Sequence, residues 1–192
     1  MRKLALLIFA VFFLLSSVQS YACVGRILNI GIVDTLNENL LAELISVLIN
    51  ERTGTTVSVK VFNSREEIYS AVKQEDIGIV IENTDNALEM LDISKSGDIK
   101  KDYDVSKREF RERRNLIWLK PFGPMPDNKN LKYYSAVISE DVLINFPALP
   151  RVINKLKNVT EDKGFNKVIK SVRSGKKTRR AARDFLKKKK LI

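Results

Sequence analysis

The sequence predicts an α/β fold with an open, mainly parallel sheet and helices on both faces. Three observations favour it. Residues 27–33 are a nearly continuous apolar run rich in β-branched side chains, residues 40–49 repeat leucine and isoleucine at helical spacing, and residues 56–62 return to a β-branched alternation. Strands and helices that alternate in this way are joined by crossovers, so neighbouring strands run in the same direction.

Local motifs predict where the first two helices begin and end. Asn37 is the predicted cap of the first helix, and Gly54 is its predicted stop, because glycine readily adopts the left-handed backbone that ends helices. Ser64 followed by Glu67 has the spacing of a capping box and predicts a second helix that runs through Gln74.

The rest of the chain continues with further strands and helices. The predicted elements are a strand at 77–81, a helix at 84–91, a charged loop leading into a surface helix at 94–114, strands at 116–119 and 133–138, and helices at 140–145, 148–157, 162–173 and 178–189. Residues 121–128 hold three prolines and a glycine, so we expect no regular structure there. Trp118 lies within an apolar strand and is expected in the core.

The amino-terminal segment has the pattern of a secretory signal peptide. Arg2 and Lys3 precede an uncharged apolar stretch at 4–15, and small or polar residues follow up to Ala22. Twelve residues of helix rise about 18 Å, too short for a hydrocarbon core of about 30 Å. We therefore expect residues 1–22 to be removed and residues 23–192 to form one exported lobe, periplasmic or in the cell envelope.

Cys23 directly follows the expected cleavage point. A cysteine there is the residue that carries lipid in bacterial lipoproteins, so Cys23 is a candidate lipid anchor. The residues before it, Ser20 and Ala22, suit ordinary signal cleavage equally well. Lipidated and plainly secreted forms both remain open at this point.

Basic residues are concentrated at the carboxyl-terminal end of the chain. Residues 151–192 hold 16 basic and 3 acidic residues, whereas residues 23–150 hold 16 basic and 20 acidic residues. Such a helical segment either lies on anionic lipid head groups or is a solvated surface that keeps the protein soluble. Nucleic acid is not an expected partner of an exported chain.

The composition excludes several kinds of chemistry. The chain has no histidine and one cysteine, which excludes Ser-His-Asp and Cys-His dyads, histidine metal ligands and an internal disulfide. The carboxylates of Glu82 and Asp85 are the remaining catalytic candidates, but nothing matches them as an acid and a base. We expect no enzyme activity, no cofactor and no metal site.

Short polar side chains follow the first three predicted strands. In open parallel sheets ligands bind beyond the carboxyl ends of the strands, so these turns are the candidate binding site. The candidate ligand-binding residues are Asp34, Thr35, Asn37, Asn63, Ser64, Asn83, Thr84 and Asp85. Residues of these types also cap helices, and that simpler explanation stays open for each of them.

Two groups of segments, taken in order, carry a family resemblance. The first runs from Ile30 to Leu91 and includes Glu82-Asn83-Thr84-Asp85 followed by Ala87-Leu88. The second covers 115–121 and continues from Tyr134, with Phe146-Pro147-Ala148-Leu149 and Ala181-Ala182-Arg183-Asp184-Phe185-Leu186. Together they resemble the substrate-binding proteins of ABC importers for glycine betaine, choline and related quaternary amines. The resemblance implies noncovalent binding of a small polar or quaternary-amine ligand and an ABC permease as partner.

The resemblance also implies that one of the family's two lobes is missing. Family members cross to a second lobe after a segment similar to 116–121 and return before one similar to 134–140. Here a loop of about ten residues, 122–131, replaces both crossings, and such a length cannot bury a core. We therefore expect a single periplasmic-binding-protein-like lobe, a truncated relative of the family.

A single lobe offers half of a closing clamp, so two functions remain open. The first is weak solute binding in an ABC transport system, and the second is a protein-protein or membrane-surface interaction module that has lost solute binding. The aromatic and glycine positions of the family's Glu-Tyr-Thr-Gly motif are here Asn83 and Asp85. Phe122, Tyr133 and Tyr134 flank the shortened crossing and either rebuild an aromatic edge or belong to the core.

Overall fold

The computed structural model describes residues 27–126 and 132–192. In the order of the chain, the elements are β1 (Leu28–Val33), α1 (Leu36–Thr53), β2 (Val57–Phe62), α2 (Arg65–Lys73), β3 (Ile79–Asn83), α3 (Thr84–Met90), α4 (Ile99–Arg114), β4 (Leu116–Trp118), β5 (Gly123–Pro124), β6 (Tyr133–Ser139), α5 (Glu140–Asn145), α6 (Leu149–Ile153), two 3-10 turns (Asn154–Leu156 and Val159–Glu161), α7 (Lys163–Arg173) and α8 (Thr178–Lys188). The predicted signal peptide and Cys23 lie outside the described residues.

These strands form one sheet in the order β2-β1-β3-β6-β4, and β5 pairs with β6. β1 pairs in parallel with β2 and β3, whereas β6 runs antiparallel to β3, β4 and β5. Of the six strands in the described ranges, β6 alone is reversed, so the predicted mainly parallel sheet is confirmed. β6 lies between β3 and β4 and pairs with both.

Helices cover both faces of the sheet. On one face α1 buries nearly its whole circumference among the sheet and helices α6, α7 and α8; Leu40, Leu44 and Leu48 are fully buried. On the other face the fully buried Phe110 of α4 packs against Trp118, with 5.5 Å between the ring centroids. Trp118 is 2% exposed, which confirms the core position predicted for it.

The cap predicted for the first helix is wrong, and its predicted stop is confirmed. Thr35, not Asn37, caps α1: its backbone is extended, with φ −123°, and its side chain accepts a hydrogen bond from the Glu38 N–H. Asn37 already lies within the first turn. Gly54 ends the helix in the left-handed conformation with φ 71°, as predicted.

The third strand lies two residues further along the chain than predicted. β3 runs from Ile79 to Asn83, so Glu82 and Asn83 are strand residues and not turn residues. The cause is tertiary, because β6 pairs Glu82 with Ser135 and Asn83 with Tyr134. The polar end of an apolar run thus continues as strand when a neighbour supplies hydrogen bonds.

The proline-rich segment contains a short strand, which corrects the prediction of no regular structure. Gly123 pairs with Tyr134 and Pro124 with Tyr133. The Phe122 N–H donates to the Tyr134 carbonyl at 2.8 Å, so the pairing begins directly after Pro121. A two-residue strand beside β6 tolerates a proline because few ladder hydrogen bonds are needed there.

Within residues 27–126 and 132–192, no helix is both long enough and apolar enough to cross a bilayer.

Candidate functional site

The eight predicted ligand-binding residues come together at one edge of the sheet. β1 and β2 end in register, with Val33 opposite Phe62, and β3 ends beside β6, with Asn83 opposite Tyr134. The segments that follow these parallel strands therefore meet at one edge, as the topology predicts. We name residues 34–37, 63–64 and 83–85 the strand-end rim.

Three of the predicted residues cap helices at the rim. Thr35 Oγ1 accepts from the Glu38 N–H at 3.2 Å and Ser64 Oγ accepts from the Glu67 N–H at 3.3 Å. Asn83 Oδ1 accepts from the N–H of Asn86 at 3.1 Å. These side chains orient α1, α2 and α3, so the capping explanation holds for all three.

Other rim residues have partners of their own. Asp34 Oδ1 accepts a hydrogen bond from the Asn39 side-chain amide at 2.8 Å, and Asp85 forms an ion pair with Lys95 at 2.8 Å. Thr84 is buried and accepts from the backbone N–H of Tyr133. The two aspartates keep contact with solvent, so both carboxylates remain within reach of a ligand.

The rim differs in exposure along its length. Asp34, Thr35 and Asn63 are exposed, Asn37, Ser64 and Asp85 are half-buried, and Asn83 and Thr84 are buried. A cavity of about 450 Å³ borders the rim at Asp85. It is lined by acidic and basic side chains together, among them Glu89, Lys95 and Lys132, so it favours neither sign of charge in a ligand.

Beneath the rim lies a buried carboxylate cluster, formed by Glu38, Arg65, Tyr69 and Glu82. The side chain of Arg65 forms an ion pair with Glu38, and its Nη1 donates to the Ile81 carbonyl at 2.7 Å. The same nitrogen lies 3.7 Å from Glu82 Oε2. One guanidinium thus links α1, α2 and β3 at their rim ends.

Both carboxylates of the cluster also accept neutral hydrogen bonds. Glu82 accepts from the Tyr69 hydroxyl at 2.9 Å and from the Asn83 N–H at 2.8 Å. Glu38 accepts from the Val33 N–H at 2.9 Å, which joins the end of β1 to the first turn of α1. Glu82 is fully buried and Glu38 is 3% exposed, so neither is placed for proton exchange with a bound ligand.

Burial dominates the titration of this cluster. Desolvation raises the pKa of Glu38 and of Glu82, and the positive charge of Arg65 opposes it in both cases. Desolvation also raises the pKa of Tyr69 well above its ordinary range. With both carboxylates ionised, the cluster carries one net negative charge directly below the rim.

The raised pKa values predict a specific dependence of stability on pH. A carboxyl with a raised pKa stays protonated in the folded state above 4.5, where the unfolded chain releases the proton. The free energy of unfolding contributed by these groups therefore decreases as the pH rises above about 4.5. We expect wild type to lose stability relative to Glu82→Gln over that rise, measured by urea unfolding from pH 4 to pH 7.

The comparison with Glu82→Gln removes the contribution of other carboxyls. Hydrogen bonds from lysine side chains lower the pKa of Asp162 and Asp184. The free energy of unfolding that these two groups contribute is therefore lost as the pH decreases, which is opposite to the dependence expected for Glu38 and Glu82. Asp162 and Asp184 titrate alike in both proteins. A difference between the two proteins that stays constant or grows in favour of wild type with rising pH would contradict the assignment.

Sequence reasoning missed Glu38 and Arg65, although each carries a local indication. Thr35 and Glu38 have the same capping-box spacing as Ser64 and Glu67. Arg65 is the first residue of α2, where the positive end of the helix dipole disfavours a cation. A basic residue in that position indicates a partner from elsewhere in the fold, which here is Glu38.

The aromatic residues beside the shortened crossing are mostly core residues. Phe122 is fully buried and Tyr134 is 5% exposed, so the core alternative holds for both. Burial raises the pKa of Tyr134, and a hydrogen bond with the Asn37 side chain opposes that rise. Tyr133 is half-buried, 6.0 Å from the ring of Tyr103. Phe122, Tyr133 and Tyr134 therefore do not form a pair of solvent-exposed aromatic faces at the rim.

The fold has counterparts among solved structures. A crystal structure of a glycine betaine/carnitine/choline ABC transporter superposes with a TM-score of 0.72 at 13% identity, over 85% of this chain and 99% of that chain. The chain has the fold of a periplasmic-binding-protein lobe. Apo YehZ from Escherichia coli superposes with a TM-score of 0.73 at 12% identity, over 88% of this chain and 100% of that chain.

These comparisons confirm the single-lobe fold that the family resemblance implied. No protein-family model matches the sequence, and no curated protein matches it. In this lobe the rim and the buried carboxylate cluster occupy the carboxyl ends of β1, β2 and β3, the edge at which open α/β sheets bind ligands.

Proposed function

We propose that this lobe is an exported solute-binding component of an ABC transport system for glycine betaine or choline-type quaternary amines. The observation that carries the proposal is the shared fold with a glycine betaine/carnitine/choline ABC transporter structure. The lobe binds its ligand noncovalently at the strand-end rim and performs no chemistry. Its partners are the small amine and an ABC permease.

The charge at the rim supports a cationic ligand. Asp34 and Asp85 offer solvent-accessible carboxylates, of which that of Asp85 is shared with Lys95. Asn37 and Asn63 supply neutral polar contacts at the same edge. A quaternary ammonium has no N–H to donate, so attraction to these carboxylates is its main polar interaction with the rim.

The expected affinity is low. A desolvated aromatic face contributes about 2 kcal/mol to binding of a quaternary ammonium, and Asn83 stands where the family's motif has its aromatic residue. An exposed ion pair contributes only about 0–1 kcal/mol. A lobe with such a rim binds an amine in the millimolar range.

The environments of the Glu82 and Asp85 carboxylates favour a binding role over a catalytic one. Glu82 is engaged by Tyr69 and by the Asn83 N–H, and Asp85 is paired with Lys95. Glu82 is therefore shielded from solvent, and Asp85 is held in an ion pair, so neither is a free base. We propose that the mature chain, residues 23–192, lies in the periplasm or cell envelope after removal of 1–22, with Cys23 as a lipid anchor or as a free terminus.

Thermal unfolding with added amines tests the proposal. We expect millimolar glycine betaine, choline or carnitine to raise the melting temperature, because a ligand that binds only the folded state stabilises it by mass action. The double variant Asp34→Asn and Asp85→Asn should lose the response. Urea and an equal concentration of sodium chloride serve as reference solutes.

A matched control variant separates the rim from general charge. Asp104→Asn with Glu112→Gln removes the same two negative charges from exposed positions on α4. This control should respond to the amine as wild type does. An equal loss of response in both double variants, or no response of wild type to any of the three amines, would contradict binding at the rim.

One observation favours a second function, an interaction module that has lost solute binding. Three of the eight predicted ligand-binding residues are engaged as helix caps, and two more are buried or paired within the lobe. If no amine shifts the melting temperature, this module is the preferred function. Its exposed rim would then contact another protein in place of a second lobe.

A further inference from the structure

The strand β2 forms one edge of the sheet, and among residues 27–126 and 132–192 it pairs with β1 alone. It is six residues long, Val57–Phe62, and contains no proline. The opposite edge consists of two short strands, β4 with three residues and β5 with two. β2 is therefore the longer open edge, and such an edge offers unpaired backbone donors and acceptors to another strand.

The direction of the backbone groups of β2 follows from its pairing with β1. The Leu28 N–H donates to the Thr56 carbonyl at 3.0 Å, so the carbonyl of Thr56 faces β1. Successive residues of a strand direct their backbone groups to alternate sides, so every second residue of β2 faces the open edge. The outward-facing residues are Val57, Val59 and Val61. Their N–H and C=O groups have no hydrogen-bond partner in the part of the chain that the structure describes.

The side chains of the three valines share one face of the sheet. Val57 and Val59 pack against the core on the face that carries α1, while Val61 is 57% exposed. Lys60 belongs to the other face and pairs with Asp76 at 2.6 Å. Asp76 lies in the segment that enters β3, on the far side of β1, so the lysine leans away from the open edge. A lysine that points outwards would protect an edge strand, and this one does not.

We propose that β2 pairs with β2 of a second copy of this chain, antiparallel about a two-fold axis at Val59. In this register Val59 lies opposite its own counterpart, and Val57 lies opposite Val61 of the second copy. All outward-facing backbone groups of both strands are then hydrogen-bonded, because a two-fold axis centred on an outward-facing residue matches each N–H with a C=O. The exposed Val61 side chain gains an apolar cross-strand neighbour in Val57 of the second copy.

The charges of this segment also fit a second copy. Between Gly54 and Ser64 the only charged residue is Lys60. The proposed register places Lys60 opposite Ser58 of the second copy, so two like charges do not face each other. The strand is therefore its own complement in hydrogen bonding and in charge, which favours a second copy over a strand of another protein. The pairing is independent of amine binding at the rim.

Sedimentation velocity of the full chain over a series of concentrations tests the pairing, with a reductant present so that Cys23 forms no disulfide. We expect wild type to show a monomer–dimer equilibrium. Val61→Lys should raise the dimer dissociation constant about tenfold or more, because a charge on an edge strand opposes pairing. Ile144→Lys is the matched control, since it places the same charge at another exposed apolar side chain, 72% exposed on α5. This control should dimerise as wild type does.

Amide hydrogen exchange locates the interface within the dimer. Exchange at Val57, Val59 and Val61 should slow as the concentration of wild type rises, while exchange at Ser58 and Lys60, which face β1, should stay constant. A wild type that is monomeric at every concentration would overturn the second copy as the occupant of this edge. Equal weakening of the dimer by Val61→Lys and Ile144→Lys, or a dimer in which exchange at the three valines does not slow, would overturn β2 as the interface.

Discussion

Replacing Arg65 with alanine is expected to destabilise the fold by about 3–5 kcal/mol, because removal of one partner leaves buried charge uncompensated. Glu38 and Glu82 are both buried, and the guanidinium of Arg65 is the cation placed between them. The change also removes a donor from the Ile81 carbonyl, a bond of 2.7 Å. Urea unfolding at pH 7 measures the loss of stability. At this pH both carboxyls are ionised in the unfolded chain.

An exposed arginine pair provides the matched control. Arg111 pairs with Glu140 at 3.2 Å, and both side chains are about half exposed. Arg111→Ala should cost about 0–1 kcal/mol. Adding Glu38→Gln and Glu82→Gln to Arg65→Ala should recover part of the stability, because the uncompensated charges disappear. A loss for Arg65→Ala as small as that for Arg111→Ala would show that the cluster contributes no more than a surface pair.

Gly123→Ala should cost about 2–4 kcal/mol, the second large effect. Gly123 has φ 102°, a conformation that side-chain-bearing residues rarely adopt. An added Cβ would overlap Thr160 Oγ1 and lie 3.2 Å from Glu161 Oε1. Thr160 cannot easily yield, since it is buried and donates to the Phe122 carbonyl at 2.8 Å. Urea unfolding again measures the change.

Gly54→Ala separates backbone strain from steric overlap. Gly54 also has a positive φ, 71°, but a Cβ there meets no atom within 4 Å. This variant should therefore cost only about 1–2 kcal/mol, the penalty for a left-handed conformation. Equal costs at the two glycines would mean that the chain relaxes around Thr160 and that Gly123 is not tightly packed against it.

Local patterns predicted the elements that bury a regular face. The apolar run before Val33, the helical repeat of leucines ending at Gly54 and the capping box at Ser64 all appear in the structure at or near their predicted positions. In each case the hydrophobic period and the cap lie within the same segment. No distant residue was needed to decide them.

Two of the wrong predictions, the bounds of β3 and the absence of β5, depend on a neighbouring strand, whereas the wrong cap of α1 is a local error. β3 extends to Asn83 because β6 supplies partners for its polar end, and β5 exists because Phe122 and Gly123 meet Tyr134. A proline-rich segment and a polar strand end carry no local indication of such pairing. Only the return of the chain beside β3 provides it.

The candidate site likewise has one part that the sequence predicted and one part that only the tertiary structure formed. The sequence determined the mainly parallel order of strands, and so the edge at which Asp34, Asn63 and Asp85 meet, because strand direction follows from the alternation of strand and helix. The joining of Glu38, Arg65 and Glu82 into one buried cluster was decided by tertiary structure alone. Their partners lie up to 44 positions apart in the printed sequence, and burial, which sets their charge and pKa, arises only when the helices close over the sheet.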